Sequence, residues 1–180
     1  MTRLTRTTKE TSVRLALDGK GGEIRVRTDD RFLTHMVETL ARYAGLGLEL
    51  EASGDLKHHL IEDVGISLGA ALAEEAPDRS ARYGWAAVPM DEALVEASID
   101  VGGRPYYVGR LPSRLYEHFL ESLAINLKAT LHIRVIRGRD RHHMVEAAVK
   151  ALGLALRQAL EEGDAVFSTK GSVSLTFPES

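Results

Sequence analysis

The chain has 180 residues, no cysteine, and 23 Lys and Arg against 26 Asp and Glu, for a net charge of −3. That length suits one domain with a real core, perhaps as two small halves. The near-neutral balance excludes a general polycation for nucleic acid, and the missing thiols exclude a disulfide scaffold, a thiolate metal site and a cysteine nucleophile.

No apolar run approaches the roughly 18–20 residues of a membrane span. The polar start, Met1 to Leu15, lacks the apolar stretch of a secretory signal. The expectation is a cytoplasmic protein with neither a membrane nor a nucleic-acid partner.

Taken in chain order, Val13, Leu15 and Leu17 alternate, a Gly-rich turn follows at Gly19, Gly21 and Gly22, and Ile24 and Val26 alternate again. This predicts a hairpin over residues 11–27. Asp29 and Asp30 are turn or cap residues, and from Arg31 a helical pattern with Phe32, His35, Met36 and Leu40 runs to Gly45. Leu46, Leu48 and Leu50 predict a strand ending at Ser53-Gly54-Asp55, and a helix follows from about Lys57 to Glu75. Residues 83–108 read as strands broken at Pro89-Met90-Asp91 and at Gly102-Gly103. Pro112-Ser113 opens a helix to about Lys128, Leu131, Ile133 and Val135 form a strand, and a long helix runs from about Arg141 to Glu161. The tail from Ala165 reads as a loop with some strand character.

The chain repeats itself. His35-Met-Val-Glu-Thr-Leu-Ala41 recurs as His118-Phe-Leu-Glu-Ser-Leu-Ala124, and His58-His59-Leu-Ile-Glu62 recurs as His142-His143-Met-Val-Glu146. Leu68-Gly69 and Ala71-Leu72 then match Leu152-Gly153 and Ala155-Leu156. Histidine is uncommon, so a pair of HHxxE segments points to duplication rather than coincidence. The predicted fold is α+β, with two similar halves, each a small sheet packed with two helices and each reading helix, strand, helix around its histidines. The predicted division is 1–100, with the N-terminal hairpin, and 101–180.

Six of the seven histidines fall in the repeat. On a helix Glu62 shares a face with His58 and His59, and Glu146 with His142 and His143. The adjacent histidines themselves diverge by about 100°. They suit two different ions, or one ion and a substrate, better than one ion gripped by both. With His35 and His118 the set supplies six imidazoles and two carboxylates, enough for two metal sites that keep positions open for chemistry. Imidazole and carboxylate without thiolate suit Mn, Fe, Zn, Ni or Co. His132 stands outside the repeat and is read as structural.

Further segments carry a resemblance. Thr8-Lys-Glu-Thr11, Gly54-Asp-Leu56, Glu62-Asp-Val-Gly65, Pro89-Met-Asp-Glu-Ala93, Gly103-Arg-Pro-Tyr106, Glu117-His-Phe119, Thr130-Leu-His-Ile133 and Ser168-Thr-Lys-Gly171 occur in this order around the histidines. Together they resemble the imidazoleglycerol-phosphate dehydratase family of histidine biosynthesis over nearly the whole chain. The resemblance implies a hydro-lyase that removes water from D-erythro-imidazoleglycerol phosphate, giving imidazole acetol phosphate. It implies two Mn²⁺ ions per subunit, on His35, His58, His59, Glu62, His118, His142, His143 and Glu146. It implies catalysis by Glu10 as acid–base group, with Glu62 and Glu146. For the substrate phosphate it implies Arg82, Arg104, Ser168 and Lys170, the last two making residues 101–180 end in a substrate-binding tail. Lys150 is a further candidate for substrate contact or charge balance. The implied assembly is a homo-oligomer of 24 subunits built from trimers, with shared sites.

The sequence departs from the family pattern at Thr34, where an aspartate is usual, at Thr39, where a glutamine is usual, and in a shorter 107–115 loop. The competing expectation is a metal-binding assembly protein on the same scaffold with impaired catalysis.

Overall fold

A computed structural model describes residues 1–77 and 80–163. Two four-stranded sheets enclose four helices. The first half runs β1 (Thr2–Thr7), β2 (Thr11–Asp18), β3 (Ile24–Thr28), α1 (Arg31–Ala44), β4 (Gly47–Gly54) and α2 (Lys57–Glu75). The second repeats that order as β5 (Tyr83–Met90), β6 (Ala93–Val101), β7 (Tyr106–Gly109), α3 (Arg114–Asn126), β8 (Ala129–Arg137) and α4 (Arg141–Ala159). The strand orders are β1-β2-β4-β3 and β5-β6-β8-β7. The duplicated α+β fold is therefore present, with three strands before each helix–strand–helix run. Strands β5 and β6, which a boundary at residue 100 assigns to the first half, pair inside the second sheet.

The hairpin expected over residues 11–27 does not form. β4 lies between β2 and β3, antiparallel to the former and parallel to the latter. Parallel strands need a crossover, and α1 supplies it. The glycines that read as a hairpin turn have another use. A Cβ on Gly47 would sit 2.7 Å from the Gly21 carbonyl oxygen, so the Gly21-Gly22 loop passes tightly over the start of β4. The true hairpin is β1–β2, paired from Thr2↔Leu17 to Thr7↔Ser12. β1, TRLTRT, is a polar edge strand whose alternation carries little hydrophobic signal.

Helix α1 buries one stripe, whereas α2 and α4 are buried on most of their faces. The α1 stripe is Leu33, Met36, Val37, Leu40 and Ala44, at helical spacing. Asp30 caps that helix, its Oδ1 accepting the Leu33 N–H at 2.7 Å, a contribution of about 1 kcal/mol. Gly45 ends it at φ 73°. Thr34 accepts the Thr28 N–H through its hydroxyl at 3.2 Å, tying the end of β3 to α1.

The helices pack across the halves, α1 against α4 and α2 against α3. Repeat-mates Gly69 and Gly153 permit this. A Cβ on Gly69 would lie 2.4 Å from the Leu123 carbonyl oxygen, and one on Gly153 2.6 Å from Tyr43 Cβ. Because β3 and β4 are parallel, α1 and α2 start at the same end of the first sheet, as α3 and α4 do beyond β7 and β8. Among the described residues no helix is long and apolar enough to cross a membrane.

Candidate metal centre

The cross-half helix pairs bring the repeated histidines together. His35 on α1 meets His142 and Glu146 on α4, and His118 on α3 meets His58 and Glu62 on α2. In each trio the ligand atoms lie within 4.8 Å of one another. Glu146 Oε2 is 3.3 Å from His35 Nε2 and 3.0 Å from His142 Nε2, and Glu62 Oε2 is 3.3 Å from His58 Nε2. Each trio thus takes its lone histidine from one half and its His–Glu pair, one turn apart, from the other. Two imidazoles and a carboxylate leave positions open on a transition-metal ion, so the donor set fits a divalent metal.

The trios are not equivalent. The Glu62 side chain is 42% exposed, whereas that of Glu146 is 8% exposed and meets Lys150 Nζ at 2.8 Å. Burial pushes the Glu146 carboxyl up, but its hydrogen bonds to Lys150 and His35 and their charges outweigh this and hold it below the usual range. Lys150 therefore sits as charge balance, with Met90 and the Tyr43 ring as its other neighbours. The Phe32 ring contacts both Tyr116 and His142, each at 5.0 Å between centroids, and supports the His142 imidazole from one side.

His59 and His143 stand apart from the trios, as the 100° step between neighbours requires. His59 Nδ1 lies 2.9 Å from Asp55 Oδ1 and 3.6 Å from Glu10 Oε2, a third ligand-like group. The Asp55 bond holds the His59 imidazole above its ordinary value and the Asp55 carboxyl below its own. His143 Nδ1 lies 2.8 Å from Glu92 Oε2, and its Nε2 is 3.5 Å from Asp91 Oδ2. Asp55 precedes His59 by one helical turn, a spacing that could have found it. Glu92 is 51 residues from His143 and gives no local signal. His132 is exposed on β8, away from the trios.

Glu92 is drawn down to about 2 by the Asp140 N–H, the His143 ring and the Arg139 N–H. A depressed folded value contributes stability above the ordinary 4.5, and that contribution is lost as pH falls toward about 2. The stability gap between the parent and a Glu92→Gln variant should close as pH falls from about 5 to 2 in denaturant titrations. A gap unchanged down to pH 2 would contradict this role for the Glu92 bonds.

The phosphate candidates lie elsewhere. The Arg82 N–H bonds the carbonyl of Ala159, the last residue of α4, while His142 is its second. At 1.5 Å per residue these points are about 25 Å apart. Arg82 also grips Asp100 through Nε at 2.6 Å and a terminal nitrogen at 3.1 Å. Arg104 is at that same end, its carbonyl accepting the Thr130 hydroxyl, with Thr130 paired to Asp100. Gly163, at the end of the described chain, lies beside Ala81. Ser168 and Lys170 lie outside the described residues.

Comparison with known proteins gives one family. The model of the family described as "Imidazoleglycerol-phosphate dehydratase" matches residues 28–156. A Pyrobaculum arsenaticum protein of that name is 50% identical over 183 residues, covering 93% of this chain and 97% of the relative. A Pyrococcus furiosus protein of the same name is 45% identical, covering 92% and 98%. The P. furiosus crystal structure, in complex with (S)-C348, superposes at a TM-score of 0.85 with 44% identity, covering 94% of this chain and all of that one. The Staphylococcus aureus structure gives 0.81 and 34%, covering 89% and 98%. With its duplicated fold, its repeated His–His–Glu trios and these matches, the chain belongs to the imidazoleglycerol-phosphate dehydratase family.

Proposed function

We propose that the chain catalyses dehydration of D-erythro-imidazoleglycerol phosphate to imidazole acetol phosphate in histidine biosynthesis. The observation that carries this reading is the pair of repeat-related trios, His35/His142/Glu146 and His58/Glu62/His118, in a chain of this family. The trios would hold two divalent ions, manganese by family resemblance, and His59 and His143, held outside the trios by Asp55 and Glu92, would complete sites on neighbouring copies. A divalent ion held there supplies Lewis acidity at a nitrogen of the substrate imidazole.

The chain's own residues do the rest. Glu62 and Glu146 provide the anionic ligands, and Lys150 balances the buried one. Glu10, its side chain 56% exposed beside His59, is the group that moves a proton at the carbon attached to the ring. Such a positioned acid–base group contributes about 10²–10⁴-fold. Arg82 and Arg104, with Ser168 and Lys170 of the tail, bind the phosphate.

Metal ligands at one end and phosphate cations about 25 Å away cannot serve one small substrate within one chain. They meet when copies pack end to end, which supports a homo-oligomer with shared sites. The assembly is 24 subunits built from trimers, and its location is cytoplasmic, where a doubly charged phosphate intermediate stays in solution.

The test is turnover of imidazoleglycerol phosphate by the purified protein, stripped of metal and then reloaded with Mn²⁺. Product formation that appears with Mn²⁺ and fails without it is expected. A manganese-loaded protein that forms no product would falsify the reading and leave a metal-binding shell.

A further inference from the structure

The repeat breaks at a buried charge. Asp63 directly follows the ligand Glu62, and its mate after Glu146 is Ala147. Both side chains are buried. A buried carboxylate costs stability unless it is paired and hydrogen-bonded, so this one needs a use that the second half lacks.

Asp63 gathers the turn between β1 and β2. Its Oδ1 accepts from the Arg6 guanidinium at 2.9 Å, and its Oδ2 accepts the Thr11 hydroxyl. Beside a guanidinium the carboxylate is an acceptor only. The Thr11 proton therefore points at Asp63, and the Thr11 oxygen accepts from the Thr8 hydroxyl at 3.0 Å. The Thr8 oxygen in turn accepts the N–H groups of Glu10 at 3.1 Å and Thr11 at 3.0 Å. Every proton direction in this chain is fixed by its last acceptor. The Glu10 carbonyl is held as well, by the Asp55 N–H at 3.0 Å. The Glu10 backbone is thus tied to α2, the helix that carries His58, His59 and Glu62, while its exposed carboxylate reaches to 3.6 Å from His59 Nδ1.

The second half treats its corresponding turn differently. There Glu92 itself is the tether, its carboxylate occupied by the N–H groups of Arg139 and Asp140 and by the His143 ring. One turn spends its glutamate on structure. The other uses a separate anchor and leaves its glutamate available.

We infer that Asp63 is a positioning residue for Glu10, acting through the Thr11 and Thr8 hydroxyls to set that carboxylate over the metal end of α2. This rests on the reading of Glu10 as the acid–base group. Thr11→Val keeps the side-chain shape and removes the relay hydroxyl, and Thr11→Ser keeps the hydroxyl.

The experiment measures kcat, KM and bound manganese for both variants, each with and without Glu10→Gln, together with amide hydrogen exchange at Glu10. Thr11→Val should lower kcat about 10–100-fold, a part of what a positioned acid–base group supplies, with KM and metal content unchanged. Thr11→Ser should restore kcat to within about threefold. In the Glu10→Gln background Thr11→Val should cost nothing further, because residues acting as one unit are not additive. Exchange at the Glu10 amide should quicken in Thr11→Val while exchange in α2 is unchanged. An equal kcat loss in the Glu10→Gln background, or unaltered exchange at Glu10, overturns the inference. A fully active Glu10→Gln single variant instead sinks the catalytic reading of Glu10, and this positioning role with it.

Discussion

A Glu146→Gln variant is expected to lose metal at its trio and at least about 10³-fold in kcat/KM, since Lewis-acid stabilisation is worth several kcal/mol. Glu62→Gln should cost turnover to a similar degree, because the two carboxylates hold matched places in the two trios. Stability should separate them. Glu146 is buried and bonds Lys150, so neutralising it leaves a half-buried ammonium without its partner, at about 1–3 kcal/mol. Glu62 is 42% exposed, and in the metal-free proteins its loss should stay within about 0.5 kcal/mol. Adding Lys150→Met to Glu146→Gln should recover most of the stability and none of the activity. Chemical denaturation and metal analysis of the four proteins check this. Equal destabilisation by Glu62→Gln and Glu146→Gln would sink the charge-balance role given to Lys150.

The second large effect is structural. A Cβ on Gly84 would lie 1.8 Å from the Ala155 carbonyl oxygen, where β5 runs against α4. Backbone cannot rotate away as a side chain can, so Gly84→Ala should cost at the upper end of overpacking, about 3 kcal/mol or more. In a chain of this size that lowers the thermal midpoint by roughly 6–12 °C. Gly102→Ala is the control. Gly102 has φ 78° with nothing within 4 Å of a Cβ, so only backbone strain of about 1–2 kcal/mol applies. A Gly84→Ala protein as stable as Gly102→Ala would show that α4 does not press on β5 this closely.

What was legible in the sequence follows physical lines. Helices α1 to α4 were readable because apolar spacing acts locally, helped at α1 by Asp30 and Gly45. The repeat was readable because histidine is rare and the HHxxE spacing is set by one helical turn. The pairing of β3 with β4 was not, since a glycine run marks a tight chain path without saying whether it turns back or passes over another strand. β1 was missed because five of its six residues, all but Leu4, are Arg or Thr at a polar edge. At the site, the sequence separated His58 from His59 by angle alone. It could not show that His35 joins the second HHxxE and His118 the first, because that exchange depends on helices packing across the halves. Asp63, Glu92 and Asp100 were passed over, as their partners lie 52, 51 and 18 residues away.

One mixing measurement tests the central claim, that metal ligands of one copy and phosphate cations of another make each dehydratase site. Glu146→Gln and Arg104→Ala chains, each inactive alone, are co-expressed with different tags, purified through both tags and loaded with Mn²⁺. Sites that join an intact trio to an intact phosphate end should then form by chance, returning up to about a quarter of the parent turnover of imidazoleglycerol phosphate. Doubly tagged assemblies that remain as inactive as either variant alone would contradict a site built between copies.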